Sequence, residues 1–384
     1  MTDSTTTTPW WQRDRERLLA IGAEHLNAYV YDGDTVRSAT RRLLGLSAID
    51  RVLFAMKSNF NAEILRLLAA EGADFECVSP MEVEHLRRVV PDISNDRILF
   101  TPNFAPREDY GWARAEGITI TLDNLHPLRE WPDEFRGARI FVRIDPDVGR
   151  GHHEHVVTSG EQSKFGIPRF EIDELEALAA AAGATIIGIH AHSGSGIPEA
   201  DTWGLVATAL AEVAERFPEA SVLDLGGGLG VPARPGDAPF DLAGMNEALL
   251  AVRAKFPNYQ LWLEPGRYLV AEAGVLLAHV TQLKGKGEQR YVGISTGMNA
   301  LIRPSLYGAH HEIVNLTRID EPSAGAVTVV GPICETGDTL GRGRDLPDCR
   351  EGDVMLLLNA GAYGRVMASE YNMRPVPPEI LLNA

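Results

Sequence analysis

The sequence lacks the features that mark secreted, zinc-binding and membrane proteins. Its 384 residues include three cysteines, Cys77, Cys334 and Cys349, whose spacing fits neither a disulfide framework nor a metal motif. It contains no secretory apolar region and no apolar stretch long enough to span a bilayer. We therefore expect a reduced, cytoplasmic protein with no membrane partner.

Positive charge is also scarce. The chain has 36 Lys and Arg against 53 Asp and Glu, which gives a formal net charge of −17. Nucleic acids and anionic membrane surfaces require clustered Lys and Arg, so neither is expected as the main partner. A small molecule is the better expectation.

What the sequence does contain is an alternation of short apolar runs with amphipathic helical stretches. The predicted strands are residues 51–56, 73–78, 97–101, 118–122, 138–144, 185–191, 221–225 and 259–264. Near-continuous apolar strands separated by helices indicate parallel pairing with helices on the outside. Eight such units favour a closed (β/α)8 TIM-like barrel, although an open doubly wound sheet has a similar local pattern.

The pattern changes after the eighth strand. Residues 275–283, 289–296, 326–334 and 353–361 are strand-like runs separated by Gly, Pro and Asp. We predict an N-terminal tail and strand over residues 1–32 that join a β domain, a barrel over residues 33–272, and a C-terminal mainly β domain over residues 273–384.

Residues that follow barrel strands gather at one mouth, and three features there, a glycine turn, Ser195 and Lys57, point to a single cofactor. The glycines in "LDLGGGLG" (223–230) allow a backbone to approach a phosphate closely, and Ser195 on the neighbouring strand offers a hydroxyl. Lys57 follows the first strand, where a lysine can form an imine with an aldehyde. Taken singly, the glycines could form an ordinary tight turn and Lys57 could be an ordinary solvated lysine. Together they favour pyridoxal 5′-phosphate as the cofactor.

Two further strand-end residues fit this cofactor. The carboxylate of Glu264 would keep the pyridine nitrogen protonated, and the imidazole of His192 would cover the ring. The ordinary alternative for His192 is a hydrogen-bonded core histidine.

Nine motifs occur in an order that resembles one enzyme family. They are "AMKSN", "FECVS", "SKFG", "HAHSGSG", "DLGGGLG", "EPGR", "RPSLYGAHHEI", "GPICETGDTL" and "NAGAYG". Together they are similar to the fold-type III pyridoxal phosphate-dependent decarboxylases, and most similar to the diaminopimelate decarboxylases within that group. The resemblance implies an alanine-racemase-like architecture and a homodimer with active sites at the subunit interface. It also implies decarboxylation of meso-2,6-diaminopimelate to L-lysine and CO2, a step of lysine biosynthesis.

The resemblance also implies a role for individual residues. Lys57, His192 and Cys334 match catalytic positions, with Cys334 as the acid that protonates the carbanion. The matching cofactor contacts are Lys57, Glu76, His192, Ser195, Gly227, Gly228, Glu264, Gly266, Arg267 and Tyr363. The matching substrate contacts are Arg267, Arg303, Tyr307, Glu335 and Tyr363.

Several alternatives stay open at this point. One is a decarboxylase of ornithine, arginine or carboxynorspermidine, although ornithine-type relatives have a shorter acid at the position of Glu335, and "CETGD" fits diaminopimelate better. An amino-acid racemase would place Arg where Glu264 stands, and an inactive regulatory homologue would have lost Lys57, the glycines or Cys334. The "GHHEH" stretch (151–155) lacks the helical spacing of a zinc motif, so we expect no metal site there.

Overall fold

The structure is a computed structural model that describes residues 8–146 and 163–384. The chain divides into two compact units. The first comprises residues Met1–Val36, Ala233–Asp237 and Val270–Ala384, and the second comprises Arg37–Pro232 and Ala238–Leu269. No described helix combines the length and apolarity needed to cross a bilayer.

The described strands and helices are as follows. The strands are β1 (Ala28–Asp32), β2 (Arg51–Ala55), β3 (Asp74–Cys77), β4 (Ile98–Phe100), β5 (Thr119–Leu122), β6 (Arg139–Arg143), β7 (Thr185–His190), β8 (Val222–Asp224), β9 (Gln260–Leu263), β10 (Gly274–Lys286), β11 (Gln289–Ile294), β12 (Ile313–Asn315), β13 (Ala326–Val330), β14 (Thr339–Asp345), β15 (Val354–Leu357) and β16 (Glu379–Leu382). The helices are α1 (Trp10–Arg13), α2 (Arg15–Glu24), α3 (Gly33–Leu44), α4 (Ala62–Glu71), α5 (Pro80–Val89), α6 (Arg107–Ala115), α7 (His126–Glu130), α8 (Ile172–Ala182), α9 (Thr202–Ala214), α10 (Leu242–Lys255), α11 (Arg267–Val270) and α12 (Arg303–Tyr307).

The second unit is a closed parallel barrel of β2 to β9 in sequence order. Closure is made where β2 pairs with β9, with Arg51 opposite Trp262. Each of the eight predicted barrel strands is present, which confirms the predicted fold class and excludes the open sheet. Because the strands are parallel, their C-terminal ends lie at one end of the barrel.

Apolar side chains from alternate strands fill the barrel. Leu53, Leu99, Phe141 and Val222 come from β2, β4, β6 and β8, and they pack with Trp262 in one cluster. This arrangement is the layered interior of a (β/α)8 barrel, which is a packed core rather than a pore. Side chains at the C-terminal strand ends, beyond this packed layer, are therefore the barrel residues placed to reach a ligand.

Local sequence signals explain where the outer helices begin and end. The Asn61 side chain caps α4 by accepting from the backbone N–H groups of Glu63 and Ile64. The same helix ends at Gly72, whose φ of 95° is the left-handed conformation that glycine adopts readily. Ser79 caps α5, with Pro80 at the first helical position.

The first unit is built on a β-sheet in the order β12-β15-β10-β11-β13-β14. β1 also pairs with β10, antiparallel, and with β16, parallel. Three strands, β12, β14 and β16, were not predicted from the sequence. β12 is short, and β14 ("TLGRGRD") has little apolar alternation, so neither has a strong strand signal.

Candidate functional site

Lys57 lies where the first barrel strand ends. β2 stops at Ala55, and the 3-10 turn Met56–Ser58 places Lys57 just beyond it. The Lys57 ammonium forms an ion pair with Glu76, which stands at the end of the neighbouring strand β3 and whose side chain is 2% exposed. Glu76 also accepts a hydrogen bond from the hydroxyl of Thr101. Two residues predicted separately from the sequence are thus in direct contact.

His192 is buried against the glycine turn that follows β8. Its Nδ1 accepts a hydrogen bond from the backbone N–H of Gly227 at 3.2 Å, which assigns the ring proton to Nε2. Burial, followed by the positive charges of Arg143 and Lys57, holds the pKa of His192 well below its ordinary value. The imidazole is therefore neutral at pH 7.

The turn of residues 226–228 has no room for side chains. A Cβ atom on Gly227 would lie 2.3 Å from the carbonyl oxygen of Glu264, and one on Gly228 would lie 2.5 Å from that of Gly194. Gly228 also has a φ of 106°, which disfavours any residue with a side chain. The glycines therefore bring three backbone segments together at the barrel mouth.

Ser195 and Arg267 also meet at this end of the barrel. Nη2 of Arg267 donates to the Ser195 hydroxyl at 3.0 Å. Gly266, the residue before Arg267, packs on Ser58, since a Cβ atom there would lie 2.9 Å from the Ser58 Cβ. The barrel thus places a cation and a hydroxyl beside Gly194, which is in contact with the glycine turn.

Glu264 follows β9 and is almost completely buried with two other ionisable groups. Its Oε2 lies 3.1 Å from Nε2 of His190, and the two side chains are 5% and 2% exposed. Asp224, at the end of β8, is fully buried, and its potential ligand atom lies within 4.8 Å of those of His190 and Glu264. Oε1 of Glu264 is buried with no hydrogen-bond partner among the described residues.

The ionisation of Glu264 is set by its neighbours. Burial alone would raise the pKa of this carboxyl group. Electrostatic attraction to His190, the hydrogen bond from His190 and the charge of Lys57 outweigh burial and lower the pKa of Glu264 to about 2. The site therefore holds a buried carboxylate.

A second cluster of buried polar side chains lies where β5 and β6 end. Nη1 of Arg143 lies 3.5 Å from Oδ1 of Asp123, and the guanidinium stacks 4.4 Å from the ring centroid of Phe165. Asp123 also accepts hydrogen bonds from Asn103 and from the backbone N–H of Gly166. Nη2 of Arg143 has no partner among the described residues, so this cation retains donor capacity.

The remaining predicted residues lie on the first unit, which carries the β-sheet and is called the β unit below. Cys334 and Glu335 are exposed, and the hydroxyl of Tyr371 donates to Oε1 of Glu335 at 2.5 Å. Arg303 is 6% exposed and lies on α12, with its Nη1 3.1 Å from Nε2 of His311. These contacts hold the Glu335 carboxylate and the Arg303 guanidinium in defined positions.

Two tyrosines complete the predicted set on this unit. Tyr307 is half-buried at the end of α12. Tyr363 is half-buried with a φ of 56°, a left-handed conformation that is uncommon outside glycine and often marks a functional site. The "GHHEH" stretch lies outside the described residues.

The sequence reasoning did not identify His190, Asp224 and Asp123 as site residues. Each occupies or directly follows an apolar strand. A single polar residue at such a position is usually a buried residue whose hydrogen bonds serve the fold. The available signal was that the apolar runs "TIIGIH" and "SVLDL" each end in an ionisable residue or carry one. The pairing of strands β7, β8 and β9 brings His190 and Asp224 together with Glu264, whereas Asp123 follows β5 and meets Arg143 of β6.

Comparisons with known proteins agree on one family. The family model described as "Pyridoxal-dependent decarboxylase, pyridoxal binding domain" matches residues 34–271. The chain is 38% identical to a diaminopimelate decarboxylase of Methanothermobacter thermautotrophicus, over 96% of this chain and 91% of that protein. It is 35% identical to the one of Deinococcus radiodurans, over 92% and 89% of the two chains.

A solved structure gives the same result. The diaminopimelate decarboxylase from Helicobacter pylori, complexed with L-lysine, superimposes with a TM-score of 0.86 at 28% identity. The superposition covers 93% of this chain and 91% of that chain. The similarity therefore extends over both units of the chain.

Proposed function

Because the chain belongs to the pyridoxal-dependent decarboxylases, we propose that it converts meso-2,6-diaminopimelate to L-lysine and CO2. Relatives named diaminopimelate decarboxylase are 38% and 35% identical to it over nearly their whole length. The observation that carries the proposal is that Lys57, ion-paired with Glu76, ends one barrel strand at the same mouth as the buried Glu264 carboxylate, whose pKa the charge of Lys57 helps to lower. A decarboxylase of this type requires both an amine and a carboxylate.

The residues at the barrel mouth fit pyridoxal phosphate. Lys57 supplies an amine for the aldehyde, and the glycine turn supplies backbone with no side chain in the way of a phosphate. Glu264 has a buried oxygen without a donor, which suits the protonated pyridine nitrogen. When bound, the cofactor supplies an electron sink for the pair that remains on the α-carbon after CO2 leaves.

Each barrel residue then has a chemical task. Lys57 Nζ would hold the cofactor through its aldehyde carbon. Glu264, as a carboxylate, would keep a proton on the ring nitrogen, and neutral His192 would cover the ring without competing for that proton. Ser195 and Arg267 offer donors for the phosphate.

The residues of the β unit are proposed to complete the reaction. Cys334 returns a proton to the α-carbon, and Glu335 binds the distal ammonium group of the substrate. Arg303 and Tyr307 bind the carboxylate that is retained, and Tyr363 contacts cofactor and substrate. Supporting observations are the exposure of Cys334 and Glu335 and the unusual backbone of Tyr363.

We also propose that the protein is a cytoplasmic homodimer whose active sites use Lys57 from one subunit and Cys334 from the other. The exposed position of Cys334 on its unit supports this proposal. Cys77, Cys334 and Cys349 are all free thiols, which supports a reducing compartment.

Other chemistry on the same fold is less well supported. A racemase benefits from a weaker electron sink, whereas Glu264 is held as a carboxylate beside His190. Decarboxylation of ornithine, arginine or carboxynorspermidine requires the same barrel residues. Discrimination therefore depends on Glu335 and its hydrogen-bond partner Tyr371.

The test is a substrate comparison with the purified chain and added pyridoxal phosphate. Meso-diaminopimelate, ornithine, arginine and carboxynorspermidine are supplied in parallel, and CO2 and the amine product are measured. We expect L-lysine and CO2 from diaminopimelate with the highest kcat/KM of the four. CO2 mainly from another substrate would overturn the substrate assignment, and isomerised substrate without CO2 would indicate a racemase.

A further inference from the structure

The carboxyl groups of Asp224 and Glu264 lie close together where β8 and β9 end, with one oxygen of each within 4.8 Å of the other. Asp224 is 0% exposed and Glu264 is 6% exposed. Two buried carboxyl groups this close are not both ionised, so one of them carries a proton. Oδ2 of Asp224 and Oε1 of Glu264 are buried with no hydrogen-bond partner among the described residues, and a proton on one of the two groups supplies the missing donor.

The backbone fixes the geometry of this pair. Asp224 lies directly opposite His190 across β7 and β8. Its Oδ1 accepts the backbone N–H of Gly226 at 3.0 Å, and Gly226 in turn accepts the backbone N–H of Glu264 at 2.9 Å. Asp224 is thus attached to the glycine turn and to Glu264 at the same time.

The proton belongs on Asp224. Burial, followed by the negative charge of Glu264, holds the pKa of Asp224 well above its ordinary value. Burial acts to raise the pKa of Glu264, but the interactions with His190 outweigh burial and lower this pKa. The charged and titratable groups that act on the pair are His190, His192, Lys57, Glu76 and Arg143.

We propose that Asp224 is a positioning residue: a neutral carboxylic acid that donates a hydrogen bond to Glu264. Together with His190 it fixes the Glu264 carboxylate, so that the remaining lone pairs of Glu264 face the ring nitrogen of the cofactor. This proposal rests on the proposed function for the cofactor, but the protonation of Asp224 is a property of the chain alone. An ionised carboxylate has about four acceptor sites, so one bond each from His190 and Asp224 leaves capacity for the cofactor.

The presence of a proton on the Asp224 carboxyl group is tested first, in the full chain without cofactor. The infrared difference spectrum between wild type and Asp224→Asn should contain the C=O stretch of a protonated carboxyl group, and the band should shift in 2H2O. Absence of that band near pH 7 would overturn the proposal even if the enzyme decarboxylates diaminopimelate.

The coupling to Glu264 is tested by affinity for pyridoxal phosphate. Asp224→Asn keeps a donor of the same shape, so the dissociation constant should stay within about threefold of wild type. Asp224→Val removes the donor and should weaken binding by about tenfold or more. In a Glu264→Gln background, Asp224→Val should have little additional effect, because Asp224 acts through Glu264.

Two further results would contradict the proposal. If Asp224→Asn weakens binding of pyridoxal phosphate as much as Asp224→Val does, Asp224 acts as a charged group. If the purified chain contains a stoichiometric metal ion that Asp224→Asn loses, the three side chains are metal ligands instead. Circular dichroism and thermal unfolding establish that each variant is folded, and Asp224→Asn alone decides the matter if Asp224→Val does not fold.

Discussion

Arg267 and Ser195 lie 72 residues apart in the chain, and Nη2 of Arg267 donates to the Ser195 hydroxyl at 3.0 Å. The contact joins the turn after β9 to the turn after β7, across the glycines that follow β8. Three successive strand ends therefore meet around Arg267 and Ser195, the two residues proposed to offer donors for the cofactor phosphate.

Arg267→Met should weaken binding of pyridoxal phosphate by about 10- to 100-fold, because it removes a charge-assisted hydrogen bond. The affinity for pyridoxal, which has no phosphate, should change by less than about threefold. Absorbance titration of the cofactor-free chain measures both constants. An equal loss for the two compounds would mean that Arg267 supports the fold rather than the phosphate.

Lys57→Ala should abolish the visible absorbance band that forms with pyridoxal phosphate and lower lysine formation by on the order of a thousandfold or more. The reason is that Lys57 ends β2 beside Glu76, where its amine is proposed to form the imine with the cofactor aldehyde. Lys255→Ala is the matched control, since Lys255 is an exposed lysine on α10 of the same unit. A band of full intensity in Lys57→Ala would assign the amine to another residue.

The stability of the chain should fall as pH rises through neutrality because of Glu82. Its carboxylate accepts the backbone N–H of Val78 at 2.7 Å. Burial is the largest cause of its shift, opposed by this hydrogen bond and aided by the charge of Glu76, and the pKa of Glu82 is raised to about 7. Because the folded state binds this proton more tightly than the unfolded chain, Glu82 contributes its full stabilisation below about pH 4.5, the ordinary pKa of a glutamate. That contribution is lost as the pH rises through about 7, the pKa of Glu82 in the folded state.

Urea unfolding of the cofactor-free chain measures this effect between about pH 5 and pH 8. Glu82→Gln should flatten the decline, whose contribution from one group has an upper limit of about 1.4 kcal/mol per pH unit. Glu84→Gln, an exposed neighbour on the same helix, is the control and should follow wild type. Parallel pH curves for wild type and Glu82→Gln would assign the pH dependence to other groups.

Subunit complementation tests the proposed dimer. Lys57→Ala and Cys334→Ala should each be inactive, yet co-expression should restore about one quarter of wild-type activity. If sites use one residue from each subunit, half of the dimers are mixed, and each mixed dimer has one intact site. Activity that stays at the level of the single variants, with mixed dimers present on size and tag analysis, would place both residues in the same subunit.

The apolar runs made the barrel predictable because each barrel strand is buried on both faces and reads as a continuous hydrophobic segment. Its eight predicted strands and the family inferred from ordered motifs are confirmed. Strand β14 was not predictable, since its "TLGRGRD" sequence owes its conformation to pairing with β13 rather than to its own pattern.

The sequence by itself therefore determined the order of strands, the placement of Lys57, Ser195 and Glu264 at strand ends, and the cofactor that these types of residue fit. Tertiary structure alone decided which groups meet. Asp224 and His190 appear in the sequence as single polar residues in apolar strands, and their roles arise from the lateral pairing of β7, β8 and β9. The reason is electrostatic: the protonation state of a carboxyl group depends on burial and on charges a few ångströms away, and residues distant in sequence supply both.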